Sequence, residues 1–247
     1  MIQEVPNTKI ELRRPSFTCD SDFKPPEQIP DPLPRRHHCL LFCAPPGSGK
    51  TSLMLSLIMN KRKLYNKIFD NVQVIMPPAS RASVKQSPFK KHHQEKLHDE
   101  LTYEVLDKIL DGAKELSEER KNTLLIIDDM AAQLKNGEIQ KLMQEIINNR
   151  RHYRLTMWIL TQSYIATPLS VRKLVTHLAL WKMPNTRETD QVSGELVHLP
   201  KDLWRDVQRY AFKAKHDFLF VDTQAGKYYR NFNELILPSS DNSLEAE

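Results

Sequence analysis

The chain has 247 residues, 40% of them hydrophobic and 27% charged, with a formal net charge of +5. That length suffices for one sizeable α/β core, and the composition argues against a chain disordered throughout and against a disulfide framework. The longest apolar stretches, Leu53 to Met59 and Leu124 to Ile127, fall far short of the roughly 20 residues that span a bilayer.

The N-terminus, MIQEVPNTKIELRR, lacks the apolar core of a signal peptide, which points to a cytosol-like compartment and against secretion. Residues 1 to 36 hold seven prolines and show neither helical nor strand periodicity, so they are expected to form an extended or disordered arm. The globular domain is expected over 37 to 237, followed by a polar, acidic tail from 238 to 247. Of the three cysteines, Cys19, Cys39 and Cys43, two fall on an apolar run where thiol packing accounts for them. The HHC at 37 to 39 has metal-binding residue types but no second ligand pair at zinc spacing.

From Cys39 onward, short apolar runs alternate with amphipathic segments. The runs are CLLFC, VQVIM at 72 to 76, TLLII at 123 to 127, TMWIL at 156 to 160 and THLALW at 176 to 181. They lack inside-outside alternation, as strands do when helices cover both faces of a parallel sheet. Ile139, Leu142, Met143, Ile146 and Ile147 carry the spacing of a packed helix, and Leu101, Val105, Ile109 and Leu116 suggest another. The predicted fold is therefore α/β, a mainly parallel sheet flanked by helices. Residues 77 to 98 form a long, basic connection, and DFLFVD, TQAG and KYYRNF read as an added C-terminal β-hairpin.

The first strand runs into CAPPGSGKT and then a helix, the setting that a phosphate-binding P-loop requires. Ala44, Pro45, Pro46, Gly47, Ser48, Gly49, Lys50 and Thr51 would wrap ATP phosphates. The glycines let backbone N–H groups turn inward, and Lys50 reaches the β- and γ-phosphates. Thr51 would bind Mg²⁺. Ala44 stands where the full G-x-x-x-x-G-K-[ST] pattern has glycine. TLLIIDD then supplies acids at the end of a neighbouring strand: Asp128 suits the Mg²⁺ shell, and Asp129 suits orienting or deprotonating water, or else caps the next helix. Gln162, in ILTQSY at the tip of the following strand, suits a γ-phosphate sensor.

Positive charge gathers at Lys61, Arg62, Lys63 and Lys67, along Arg81 to Lys96, at Arg150, Arg151 and Arg154, and along Lys201 to Lys215. Each cluster taken alone fits a solvated face, and together they fit contact with a polyanion. Arg150, Arg151 and Arg154 suit three uses: DNA phosphate, surface acids, or reaching into a neighbouring subunit's nucleotide.

APPGSGKT, LLIIDD, NNRRHYRLTMWILTQSY, THLALWKM and DFLFVDTQAGKYYRNF together resemble the poxvirus-type genome-packaging ATPases of large eukaryotic DNA viruses and virophages, in the FtsK–HerA class of P-loop motors. The resemblance covers about Cys39 to Leu237. It implies Lys50, Asp129 and Gln162 as catalytic groups, with Thr51 and Asp128 on Mg²⁺. Arg151 falls at the family's Arg-His pair, which makes it the first choice for an arginine acting in trans, with Arg150 as the fallback. It also implies a homo-oligomeric ring of five or six subunits that threads double-stranded DNA of any sequence into a preformed capsid. The capsid protein would be a partner, the place the host-cell cytoplasm at a virus factory or the virion, and a membrane would have no part. Two other functions share the P-loop: a small-molecule kinase with 81 to 96 as its lid, and a nucleotide-dependent switch or scaffold on capsid protein. Paired aspartates and a strand-tip glutamine suit water better than an organic acceptor.

Overall fold

The structure, a computed structural model, describes residues 23–59, 64–83 and 88–238. Chain order is β1 (Cys39–Cys43), α1 (Lys50–Met59), β2 (Asn71–Ile75), α2 (Pro78–Ser83), β3 (Leu97–His98), α3 (Tyr103–Glu118), β4 (Thr123–Asp128), α4 (Gly137–Asn149), β5 (Leu155–Thr161), α5 (Leu169–Arg172), β6 (His177–Trp181), α6 (Thr186–Val192), α7 (Lys201–Ala211), β7 (Phe218–Asp222), β8 (Lys227–Arg230) and β9 (Asn233–Glu234). A π-helical turn, Ser193–Val197, follows α6.

One nine-stranded sheet runs β3-β2-β4-β5-β1-β6-β7-β8-β9. The six strands from β3 to β6 are parallel, and β7, β8 and β9 add antiparallel pairs beyond β6. The expected α/β fold and C-terminal hairpin are both present. β1, β4, β5 and β6 are buried along their whole lengths, which explains their unalternating apolar runs. Successive side chains of β1 serve opposite cores: Cys39, Leu41 and Cys43 join the helices α3, α4 and α7 on one face, and Leu40 and Phe42 join α1 on the other.

α4 buries all five residues of its predicted stripe, and Asn136 starts it by accepting from Glu138 N at 2.8 Å and Ile139 N at 3.3 Å. In α3 the buried face is Leu106, Ile109, Leu110 and Ala113. Leu101 lies before the helix, because Thr102 accepts from Val105 N at 3.2 Å and sets the start one residue later.

Of the Pro-rich segment, residues 23 to 36 lie against the domain, while 1 to 22 fall outside the described residues. Ile29 and Leu33 are buried in the α1-side core. Gln28 Nε2 donates to Leu64 O and Asn66 O, each at 3.0 Å, and Tyr65 donates its hydroxyl to Pro34 O at 2.8 Å.

The HHC residues are structural in their contacts. His38 donates from Nδ1 to Arg36 O at 2.8 Å and accepts from Trp158 Nε1 at 3.0 Å, and burial pulls its pKa well down. The connection from 77 to 98 is fastened to the sheet edge: His92 meets Val72 O at 2.8 Å, His98 meets Gln73 Oε1 at 3.0 Å, and Arg81 pairs with Asp99. Lys61, Arg62, Lys63 and Lys85 lie outside the described residues. Among the described residues no helix is long and apolar enough to cross a membrane.

Candidate nucleotide site

The loop 44 to 49 leaves β1 at the carboxyl edge of the parallel strands and feeds α1. Ala44 N donates to Thr161 O at 3.1 Å, so the loop starts as a continuation of the sheet ladder. Ala44 is fully buried and is not among the residues with positive φ, so alanine fits where the motif has glycine. Gly47 and Gly49 have φ of 72° and 102°, in the left-handed region that favours glycine. Ser48 N donates to Pro45 O at 3.4 Å and closes the turn.

Lys50 and Thr51 open α1, whose free N–H groups and dipole favour an anion in front of the loop. Thr51 donates its hydroxyl to Asp128 Oδ2 at 3.5 Å. Asp128 ends β4 with 4% exposure. Burial pushes its pKa up to about 6, assisted by Asp129, while Lys50 and the Thr51 hydroxyl pull the other way. A hydroxyl and a buried carboxylate are the hard oxygen donors that suit Mg²⁺, and a dication beside Asp128 would remove the cost of its ionisation.

Asp129 is exposed and left-handed, with φ of 60°. Its N–H donates to Leu160 O at 3.2 Å, which fixes this unusual backbone to β5. Its carboxylate accepts from Gln162 Nε2 at 3.0 Å. Asp129 does not cap the next helix, since Asn136 does so.

The strand that carries the acids is not the neighbour of the P-loop strand expected from sequence: β5 lies between β1 and β4, so the direct neighbour carries Gln162. The inserted strand is what brings Gln162 against Asp129. Lys50, Thr51, Asp128, Asp129 and Gln162 thus share one edge of the sheet.

Arg150, Arg151 and Arg154 do not join them. They sit between α4 and the start of β5, whose seven residues make about 23 Å of extended chain before Gln162 is reached. Arg150 donates to His37 O at 3.2 Å and to Ile147 O at 2.8 Å, the latter an end carbonyl of α4. Arg154 donates to Arg120 O at 3.2 Å and lies 5.8 Å from the Phe23 ring centre. Arg151 is exposed.

Two acidic side chains that sequence reasoning missed brace the turn after Gln162. Glu188 of α6, 9% exposed, accepts from Tyr164 N at 2.6 Å and Ser163 Oγ at 2.9 Å. Glu195, in the π-helical turn, accepts from the Tyr164 hydroxyl at 2.8 Å and holds Arg172 in a two-pronged pair at 2.7 and 2.8 Å. Asn185 starting α6 with Glu188 three residues on resembles a capping box, but Glu188 spends its oxygens on the Gln162 turn instead.

Solved structures with this fold include B204, the DNA-packaging ATPase from Sulfolobus Turreted Icosahedral Virus. It is 15% identical, with a TM-score of 0.61 over 79% of this chain and 97% of that one. The genome packaging NTPase B204 from Sulfolobus turreted icosahedral virus 2, in complex with AMP, gives 15% identity and a TM-score of 0.56 over 81% and 98%. ATPases 2 and 3 of EssC from Geobacillus thermodenitrificans give 10% and 0.54 over 75% of this chain and 37% of that one. No curated protein matches the chain by sequence. The family model described as poxvirus A32 protein matches residues 31–229, four-fifths of the length. The chain therefore belongs to the poxvirus A32 protein family and is a P-loop ATPase.

Proposed function

We propose that the protein is a viral genome-packaging motor that hydrolyses ATP to move double-stranded DNA into a preformed capsid. The observation that carries this reading is the Asp129 and Gln162 pair, held at 3.0 Å beyond Lys50, Thr51 and Asp128. That is where a water attacking a bound γ-phosphate would stand. Asp129 takes the proton as the water oxygen bonds to phosphorus, the bond from phosphorus to the β–γ bridging oxygen breaks, and ADP and phosphate leave. Gln162 orients the water through its amide oxygen while its nitrogen stays on Asp129. Thr51 and Asp128 would hold Mg²⁺, which neutralises charge on the β- and γ-phosphates.

The position of the arginines supports a homo-oligomeric ring. They lie at the opposite edge of the sheet from their own subunit's phosphate loop, so an arginine of this group that acts in catalysis would act on the next copy's nucleotide. Arg151 suits the role best, because it falls at the Arg-His pair of the resemblance and is exposed. In such a ring, basic side chains along Arg81 to Lys96 would touch the DNA backbone without reading bases. A capsid protein would receive the motor in the infected-cell cytoplasm or the virion.

The test is steady-state ATP hydrolysis against protein concentration, with and without long double-stranded DNA, for the wild type, Asp129→Asn and Arg151→Ala. The motor predicts a rate per subunit that rises with concentration and with DNA, and a fall of about 10³-fold or more in each variant. Mixing the two variants should restore part of the rate, because a ring then holds interfaces with intact Asp129 facing intact Arg151. A flat rate per subunit that ignores DNA and survives Arg151→Ala refutes the shared site, and phosphate transfer to a small alcohol would make the chain a kinase.

A further inference from the structure

Between α7 and β7 the chain makes a tight turn, residues 212 to 217, that ends against the P-loop. Asp217 builds it: one carboxylate oxygen accepts from Ala214 N at 2.8 Å and Arg230 Nη2 at 2.7 Å, and the other accepts from Asn231 Nδ2 at 2.6 Å. Asn231 returns the grip by accepting from Phe218 N at 2.9 Å. Asn231 and Phe232 both hold positive φ, 48° and 70°, a strained pair that the surrounding bonds maintain. The turn is thus fixed from within, while Lys213, Lys215 and His216 are exposed on it.

His216 Nδ1 lies 3.0 Å from Ser48 O, and a Cβ on Gly49 would stand 3.5 Å from the same nitrogen. A carbonyl only accepts, so Nδ1 carries the proton, and in the neutral ring Nε2 is left as an acceptor. Nε2 has no hydrogen-bond partner among the described residues.

The sheet order gives this contact a meaning. Asp128, Asp129 and Gln162 stand at the tips of β4 and β5, on one side of β1, and β6 and β7 lie on the other. A triphosphate whose γ end points towards β4 and β5 presents its nucleoside end towards β6 and β7. The turn before β7 waits there, beside the loop that would hold the phosphates.

Resting on the reading of residues 44 to 51 as a phosphate loop, we infer that the turn 212 to 217 is the nucleoside wall of the site. His216 Nε2 accepts there from a donor on the nucleoside, either a ribose hydroxyl or the exocyclic amino group of adenine. None of the nucleotide-binding motifs contains this turn, and it ties the C-terminal hairpin to substrate.

The full chain is tested by calorimetric titration with Mg²⁺ and four probes: ATP, 2′-deoxy-ATP, GTP and inorganic tripolyphosphate. His216→Asn places an amide nitrogen where Nδ1 lies, so the contact to Ser48 O survives and only the Nε2 acceptor is lost; His216→Ala removes both. The expected result for His216→Asn is an ATP dissociation constant raised about tenfold, with tripolyphosphate binding unchanged. Loss of the wild type's preference for ATP over 2′-deoxy-ATP then assigns the ribose, and loss of its preference over GTP assigns the base. Equal weakening of tripolyphosphate and ATP overturns the inference, because His216 would then only brace the loop, and so does unchanged ATP affinity in both variants. A wild-type chain that binds none of the four probes refutes the phosphate loop itself.

Discussion

Glu188→Ala separates the positioning of Gln162 from its chemistry. Glu188 accepts no hydrogen bond from Gln162, yet it accepts the two that hold the following residues, Tyr164 N at 2.6 Å and Ser163 Oγ at 2.9 Å. Alanine leaves the buried Tyr164 N–H without a partner. A hydrogen bond to a charged group contributes about 1.5–3 kcal/mol, and the pair shares one carboxylate, so the loss should be about 3 kcal/mol. In a domain of this size that lowers the melting temperature by about 6–12 °C. The released turn no longer fixes the amide of Gln162 against Asp129, and a shift of about 1 Å there costs on the order of 10²-fold in rate. Steady-state kinetics well below the melting point should therefore show kcat down by that factor with KM for ATP nearly unchanged, since Lys50 and the loop glycines are untouched. Glu188→Gln should recover most of the rate: its amide oxygen accepts from Tyr164 N, and its nitrogen donates to Ser163 Oγ. A variant that melts lower by the full amount but keeps kcat within twofold refutes the reasoning and leaves Glu188 a packing residue.

Asp128→Asn should stabilise the nucleotide-free chain. Its folded pKa of about 6 lies above the ordinary 3.8, so this carboxyl favours folding when protonated. That contribution is full below about pH 4 and is lost as pH rises through 6, costing up to about 3 kcal/mol at neutral pH. Melting curves of wild type and variant should coincide near pH 4 and separate by pH 7 with the variant higher; a variant that melts lower at pH 7 contradicts the burial argument, and Mg²⁺-dependent nucleotide binding should be lost in any case. Ile29→Ala tests the Pro-rich segment: Ile29 is 1% exposed, so the change should cost about 3 kcal/mol and lower the urea midpoint by roughly 1 M, whereas an unchanged midpoint would mean that the segment is not part of the folding unit.

Which parts of this fold were legible follows from which parts are locally encoded. β1, β4, β5 and β6 announce themselves because burial on both faces removes polar residues from the run, and α4 because its five buried residues recur at helical spacing. β3 has two residues and exists only by pairing with Val74 and Ile75, so no pattern marks it. The stretch from 23 to 36 carries prolines that forbid regular hydrogen bonding, which reads as an arm. Its attachment depends on Ile29 and Leu33 meeting Tyr65 and β1, a contact that no local signal describes. Strand order is equally non-local: nothing within TLLIIDD or TMWILTQ says that β5 inserts between β1 and β4.

The same distinction divides the candidate site. Glycines at positive φ, a lysine and a threonine at a helix start must be consecutive to work, so the phosphate loop is written in one stretch. Glu188 acts on a backbone N–H 24 residues away and His216 on a carbonyl 168 residues away, so neither has a motif. The arginines show the consequence most clearly. In sequence, Arg151 and Gln162 are only eleven positions apart. The strand between them is seven residues long and fully buried, so it holds them at opposite edges of the sheet. A parallel sheet can bring strand tips together at one edge, but it cannot fold an arginine at a strand's start back to its end. If Arg151 serves catalysis, the length of β5 suits it to another copy's nucleotide rather than its own.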